Sequence, residues 1–404
     1  MKILVLNCGS SSVKYQVIEM DGEQVICKGI VERIGTQDAI LRCRPSGRPE
    51  TREVRPISDH AEAIDGLIAS LLDPEVGVLT DKSEIAAVGH RTVHGGEAFS
   101  GSVKIEAAVI DSIRACAAFA PLHNPHNLQG IEACLRLLPG VPQVAVFDTA
   151  FHQTMPASSY LYALPCSLYE RLGVRRYGFH GTSHLYVAGR AAEALGRPIE
   201  ELKIITCHLG NGASVTAVRG GKSVDTSMGF TPLEGLVMGT RCGDIDPALV
   251  LYLMEAEGLS PDEMDELLNK ESGMLGLTGL SHDMREIEER ARAGDERCRL
   301  ALEIYCLRIK KYIGAYAAVM GGVDAVVFTG GVGENSDVVR RQVCSDMEYL
   351  GIVYDEGANM QHVPWNEAGP TSPHISTGST KVLVIPTNEE LVIARDTKAV
   401  LFGS

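Results

Sequence analysis

Three stretches of the chain place glycine and small polar residues directly after an apolar run: Gly9-Ser10-Ser11-Ser12, Gly210-Asn211-Gly212-Ala213-Ser214 and Gly330-Gly331-Val332-Gly333-Glu334-Asn335. Turns of this composition expose backbone N–H groups that cradle phosphate oxygens, most effectively where a helix starts next and adds the positive end of its dipole. The third turn precedes a segment, Ser336 to Leu350, that reads as a helix. One such turn is more often an ordinary tight turn, whereas three in one chain point to a nucleotide. None matches G-x-x-x-x-G-K-S/T or a Rossmann G-x-G-x-x-G with a suitably placed acid, which argues against a P-loop or dinucleotide fold.

Charged residues sit in similar surroundings. Arg91 lies in Gly89-His90-Arg91-Thr92-Val93-His94-Gly95-Gly96, and Arg241 in Gly239-Thr240-Arg241-Cys242-Gly243-Asp244. An arginine in such a turn can fork onto a carboxylate or phosphate and stays charged at any relevant pH; a structural ion pair explains either one equally well. Histidines recur in Tyr177-Gly178-Phe179-His180-Gly181-Thr182-Ser183-His184 and in His123-Asn124-Pro125-His126. Without a His-Glu-x-x-His pattern or a third ligand at metal-site spacing, these are poor zinc candidates. His180 reads better as a donor to a charged ligand, and His123 and His126 as residues that hold a loop. Asp148 ends an apolar strand and Glu389 opens a final helix, positions that suit helix caps as well as cleft carboxylates. With Asn7 they form a set of hard oxygens suited to magnesium, which keeps waters and bridges phosphates.

The elements that must carry these residues are readable. Lys2 to Leu6, the small-residue turn and the alternating Val13, Tyr15 and Val17 read as strand, turn and strand, a pattern repeated at Lys203 to Cys207 and Val215 to Val218. Val144 to Thr149 likewise resembles Ala325 to Gly330. Two related halves imply an α/β fold in which two domains face each other across a cleft. The clearest helix runs from about Met284 to Met320, with Ala301, Ile304, Tyr305, Ile309, Tyr312, Ile313, Tyr316 and Met320 as its stripe. Ser281 and Asp283 offer caps, Ala293-Gly294-Asp295 offers a break, and Gly321-Gly322 a stop. His362 to Ser379 is the main irregular stretch.

Composition narrows the function. At 404 residues and 45% hydrophobic content the chain has enough material for two domains. A net charge of -15 disfavours nucleic acid or an acidic membrane as a partner. No apolar run approaches the length of a membrane helix and the N-terminus turns polar too early for a secretory signal, so a cytoplasmic location is expected. The 11 cysteines include no Cys-x-x-Cys pair and read as reduced thiols.

The blocks NCGSSSVKY, GHRTVHGG, VFDTAFH, YGFHGTSH, HLGNGAS, DTSMGFTPLEGLVMGTRCGDIDP, FTGGVGENS and PTNEELVIARD occur in this order over nearly the whole chain, and together they resemble the acetate kinase family. The resemblance implies duplicated actin-like (ribonuclease H-like) ATPase domains, the first spanning 1–150 and completed by a C-terminal helix at about 388–404, the second, nucleotide-binding, spanning 151–387. It implies a homodimer and a reversible transfer of phosphate between ATP and acetate, giving ADP and acetyl phosphate, with Mg2+ as cofactor and Mn2+ as a substitute.

Residue by residue, the resemblance assigns Asn7 and Glu389 to the metal, Ser10, Ser11 and Ser12 to the first phosphate loop, and Lys14 to nucleotide phosphate. It assigns Arg91 to the acyl carboxylate, Asp148 to an acid/base or substrate-orienting role, and His180 and Arg241 to transition-state stabilisation. Nucleotide contacts fall on His208, Leu209, Gly210, Asn211 and Gly212, on Asp283, Met284 and Arg285, and on Gly331, Val332, Gly333, Glu334 and Asn335. Val93, Leu122, Phe179 and Pro232 would surround the substrate methyl group, and related propionate kinases tend to carry alanine at the position of Val93. Cys242 stands where the family usually has serine, which raises the expectation of thiol sensitivity. The alternatives are a propionate or other short-chain acyl-acid kinase and, more remotely, a nucleotide-switched binding protein of the same superfamily.

Overall fold

The computed structural model of the chain describes residues 1–120, 123–360 and 374–403. It divides into two units, Met1–Phe151 with Asn388–Ser404, and His152–Thr387.

In the first unit the opening run forms β1 (Lys2–Cys8). Ile3 and Val5 face one side of the sheet and Leu4 and Leu6 the other, as the two-residue period of a strand requires. All four are buried, so both faces of the sheet are covered. On one edge β1 pairs antiparallel with β2 (Ser12–Glu19), and the antiparallel order continues through β3 (Gln24–Glu32), β4 (Thr36–Pro45) and β5 (Thr51–Ile57). On the other edge β1 pairs in parallel with β6 (Ile85–Thr92). Beyond β6, the short β7 (Val103–Lys104) borders β8 (Gln143–Phe147), which itself runs parallel to β6. Helices His60–Leu72 and Asn124–Leu137 cover the Leu4 face, and the C-terminal helix Glu389–Phe402 covers the Ile3 face. That last helix sits so close that a Cβ on Gly89 would fall 2.5 Å from Thr397 Oγ1 and 2.7 Å from Ile393 Cγ2.

In the second unit, β9 (Lys203–Leu209), β10 (Ala213–Arg219) and β11 (Lys222–Thr226) form an antiparallel meander, and β12 (Ala325–Thr329) and β13 (Lys381–Val384) add to β9 in parallel. The order β11-β10-β9-β12-β13 repeats β3-β2-β1-β6-β8 in both sequence and direction, so the fold is mixed α/β and duplicated. The hairpin equivalence β1-β2 with β9-β10 follows the expected repeat. The second expected equivalence is displaced by one strand: Ala325 to Gly330 belongs to β12, the counterpart of β6, whereas Val144 to Thr149 belongs to β8, the counterpart of β13. Short, fully buried strands that end in small polar residues look alike whichever slot they fill.

The helical stretch after residue 283 is broken where Ala293-Gly294-Asp295 suggested, into Met284–Arg292 and Glu296–Met320. Asp295 caps the second helix by accepting from the Cys298 amide, and Gly321 closes it in the left-handed region at φ 66°. Within the expected stripe, Ile304 and Tyr312 are half-buried and the rest are buried. The segment after β12 differs from expectation. The glycines themselves form a short helix, Gly330–Asn335, and Ser336 caps a second one, Asp337–Cys344, where a single helix to Leu350 was expected. All 11 cysteines are free, with Cys27 and Cys43 on adjacent strands at an Sγ–Sγ distance of 3.3 Å. Of the irregular stretch from His362, residues up to 373 lie outside the described residues.

Candidate active site

In the first unit the candidate residues gather at the carboxyl ends of the parallel strands, the edge at which open α/β sheets bind ligands. Arg91 is near the end of β6 and Asp148 directly follows β8. The Arg91 Nε and Nη2 donate to Asp148 Oδ1 and Oδ2 at 3.1 and 2.7 Å, and the Asp148 side chain is 1% exposed. Burial would depress the Arg91 guanidinium, but Asp148, Glu389 and Glu390 outweigh it and raise its pKa. A guanidinium carries five N–H donors, so the fork leaves three for a further anion.

Glu389 opens the C-terminal helix, whose actual cap is Asn388, accepting from the Leu391 amide at 3.1 Å. Burial raises the Glu389 carboxyl above its ordinary range; Arg91 and Lys14 oppose that shift and Asp148 adds to it. Its Oε1 is buried with no hydrogen-bond partner among the described residues. Asn7 and Lys14 face each other across the β1-β2 pair, and the turn between them is closed by the Gly9 amide donating to the Ser12 carbonyl at 2.8 Å. Magnesium is usually bound by one or two protein groups together with phosphates and waters, so an amide oxygen and an orphaned carboxylate oxygen fit it. Among the described residues no group of three or more His, Cys, Asp and Glu forms a denser metal site.

The loop carrying Val93 is held by two residues that the sequence reading passed over. Asn127 Oδ1 accepts from the Val93 amide at 3.0 Å, and Asn124 accepts from the His94 amide and donates to the His94 carbonyl. Both asparagines alternate with the histidines that had been expected to hold a loop, and His126 stacks on His60 with ring centroids 5.3 Å apart. Leu122 lies outside the described residues.

In the second unit His180 stands at the start of helix Gly181–Leu195 with φ 57°, a left-handed conformation that few residues with a side chain adopt and that often marks a functional position. The His152 Nε2 donates to the carbonyl of the buried Phe179 at 2.9 Å and fixes the backbone just before it. His180 stacks on His208 with centroids 4.3 Å apart, and its Nδ1 lies 2.9 Å from Ser214 Oγ. A Cβ built on Gly212 would be 3.5 Å from both His180 Nε2 and Arg241 Nη1, so the ring and the guanidinium converge beside that glycine. Arg241 Nη1 donates to the Pro232 carbonyl at 3.3 Å. No carboxylate among the described residues ion-pairs with Arg241, and burial alone lowers its pKa. A half-buried, uncompensated cation is a site for an anion. Burial raises the neighbouring Cys242 thiol, which opposes the thiolate form and the expected reactivity.

A cavity of about 670 Å³ opens beside these groups in the same unit. Gly210, Asn211, Asp283, Met284, Arg285, Gly331, Val332 and Asn335 line it, whereas His208, Leu209, Gly212, Gly333 and Glu334 do not. The Glu334 carboxylate is turned inward, accepting from the Gly330 and Thr387 amides at 2.9 and 3.3 Å. Asp283 caps helix Met284–Arg292 and is held down to about 2 by the side chain and amide of Arg285.

Met274, Gly239, His282, Glu288, Tyr305 and Ser336 also line the cavity and were not among the expected nucleotide contacts. Ser336 donates to the Glu288 carboxyl, which burial raises, and the buried Tyr305 hydroxyl has no partner among the described residues. Tyr305 was read only as part of a core stripe, and its hydroxyl was the signal available.

The fold and the site define a phosphotransferase of duplicated α/β architecture. Its structure matches the crystal structure of Porphyromonas gingivalis acetate kinase with a TM-score of 0.93 at 50% identity over 99% of both chains. It matches that of a propionate kinase from Francisella tularensis with a TM-score of 0.91 at 42% identity, over 99% of this chain and 100% of that one. In sequence it is 58% identical to the acetate kinase of Thermotoga maritima over 402 residues, 99% of each chain. The chain belongs to the acetokinase family, whose model matches residues 2–395.

Proposed function

We propose that this chain catalyses reversible phosphoryl transfer between ATP and acetate, giving ADP and acetyl phosphate, by direct in-line attack of the carboxylate on the γ-phosphorus. The observation that carries this reading is the convergence of His180 and Arg241 beside Gly212, with no carboxylate among the described residues paired to the arginine, in a chain that matches acetate kinases over 99% of its length.

The chemistry fits the residues. The acceptor carboxylate is ionised at neutral pH and needs no general base. A bond forms between its oxygen and the phosphorus as the bond to the ADP leaving oxygen breaks, and negative charge spreads over the three equatorial oxygens. Arg241 and His180 supply fixed donors to that charge, in place already before it develops. The free N–H groups of Arg91 bind the acyl carboxylate, and Asp148 acts as the residue that orients Arg91. Asn7 and Glu389 would hold magnesium, which when bound neutralises phosphate charge. Lys14 and Ser10, Ser11 and Ser12 meet nucleotide phosphate, and the glycine-lined cavity takes the nucleoside.

Val93 favours acetate over propionate, although one methylene is worth only about 1–3 kcal/mol, so propionate should react more slowly and not be excluded. The free cysteines support a reducing, cytoplasmic setting. The exposed Leu249, Leu251 and Tyr252 on helix Pro247–Glu257 support a homodimer. No helix among the described residues is long and apolar enough to cross a membrane. The test is to incubate purified protein with ATP, magnesium and hydroxylamine and with acetate, propionate or butyrate in turn. Acetyl hydroxamate should form fastest, and no hydroxamate from any acid would reject the reading.

A further inference from the structure

Two hydroxyls and one imidazole run in line behind His180. His180 Nδ1 is 2.9 Å from Ser214 Oγ, which is 2.8 Å from His184 Nε2, and His184 Nδ1 is 2.7 Å from Thr206 Oγ1. Ser214, His184 and Thr206 are all completely buried. Each hydroxyl has one proton to give, so the line can be ordered by asking where each proton goes.

The Thr206 hydroxyl has two acceptors within reach, His184 Nδ1 at 2.7 Å and the Thr216 carbonyl at 3.5 Å. The second distance exceeds a good O–H···O bond, so the proton belongs on the path to His184. Burial, with His152 and His208 adding to it, keeps His184 neutral, and its single proton therefore sits on Nε2 and is donated to Ser214 Oγ. Ser214 then donates to His180 Nδ1, which leaves the His180 proton on Nε2, the nitrogen beside Gly212 and Arg241.

The charged and titratable groups facing His180 include His184 from its own helix, His208 stacked from β9, and Arg241 from the loop after β11. The Arg241 guanidinium and the positive end of helix Gly181–Leu195 both disfavour a second positive charge on the ring. We infer that Ser214 and His184 are positioning residues: they fix His180 as the Nε2–H tautomer, so that it stabilises the transferring phosphoryl group as a neutral donor. This inference rests on the phosphoryl-transfer reading of the site and adds how one of its donors is prepared. A tautomer set by a neighbour's hydrogen bond is a general device for histidine.

The test compares wild type, Ser214→Ala and Ser214→Thr, each checked for an unchanged thermal melt. Nitrogen NMR of histidine-labelled protein, with His180 assigned by its loss in His180→Gln, should show Nε2 protonated in wild type and a tautomer mixture in Ser214→Ala. The turnover of Ser214→Ala should fall about 10- to 100-fold with KM for ATP unchanged, the range seen when the partner of an active-site group is removed. Ser214→Thr should restore both readouts. Wild-type turnover should not drop as pH rises through the histidine range near 6.5, whereas Ser214→Ala should regain activity towards acid, where both ring nitrogens carry protons. A wild-type ring protonated on Nδ1, or Ser214→Ala with the tautomer and turnover of wild type, would overturn the relay. Absence of hydroxamate from wild type would instead reject the reaction, and the NMR arm would still decide the tautomer.

Discussion

The guanidinium of Arg91 grips the carboxylate of Asp148 by both oxygens, at 2.7 and 3.1 Å, with the aspartate buried and the arginine 21% exposed. The pair therefore fixes the plane of the arginine and leaves its outer donors available. Asp148→Asn should raise KM for acetate at least tenfold, about 1.4 kcal/mol or more, because the amide is uncharged and sets an NH2 donor against the guanidinium where one of the two acceptors stood. It should also destabilise the fold by about 2 kcal/mol, below the value for a fully buried pair because Arg91 reaches solvent. Acetate saturation curves and urea melts measure both, and an unchanged KM would remove Asp148 from substrate orientation.

Arg241 presents the opposite case, since no carboxylate among the described residues balances it. Arg241→Ala should lower turnover about a thousandfold, roughly 4 kcal/mol, while nucleotide affinity stays near that of the wild type. No orphaned negative charge is created, so the melting temperature should hold or rise. Turnover and calorimetric nucleotide binding separate these effects, and near-normal turnover would mean that the arginine is structural.

Acid should weaken the fold through histidines locked in the neutral form. Burial pushes both His90 and His94 down to about 4, and His184 well below its ordinary value. Their folded pKa values are depressed, so below about 6.5 the unfolded chain takes up protons that the folded chain refuses. Each such histidine lowers stability by about 1.4 kcal/mol per pH unit until its folded value is reached. His90→Gln should therefore lose about 2 kcal/mol less than wild type between pH 7.5 and pH 5, read from urea midpoints. Parallel pH dependences would show that His90 is not a source of acid sensitivity.

The Tyr305 hydroxyl, buried at the cavity with no partner among the described residues, carries a cost in the free protein that a nucleotide can relieve. Tyr305→Phe should stabilise the free protein by about 1 kcal/mol and weaken ATP binding about fivefold. Thermal melts with and without nucleotide measure both. A variant with wild-type ATP affinity would place the hydroxyl outside nucleotide recognition.

What the sequence disclosed and what it hid divide along physical lines. The β1-β2 and β9-β10 hairpins were legible because alternation and a small-residue tip are local signals, as were the break at Gly294 and the stop at Gly321. The match of Val144 to Thr149 with Ala325 to Gly330 misled because sheet order depends on long-range pairing that no short window contains. Arg91, His180 and Arg241 stood out as polar groups in glycine-rich turns and Asp148 as a carboxylate ending an apolar strand, but the residues that support them did not. Ser214 lay in plain view within a glycine turn and His184 four residues after His180 on one helix, yet only the fold aligns them across β9 and β10. Asn124 and Asn127 were hidden in the same way, overshadowed by the histidines that each of them directly follows.

The most direct measurement follows the oxygen that attacks phosphorus. The protein is supplied with ATP, magnesium and acetate labelled with 18O in both carboxylate positions, and the acyl phosphate is captured with hydroxylamine, which cleaves at the acyl carbon and leaves the bridging oxygen on phosphate. Phosphate released with the hydroxamate should carry one 18O from acetate. Phosphate free of the label would mean that the carboxylate never attacked the phosphoryl group, and the proposed reaction would be wrong.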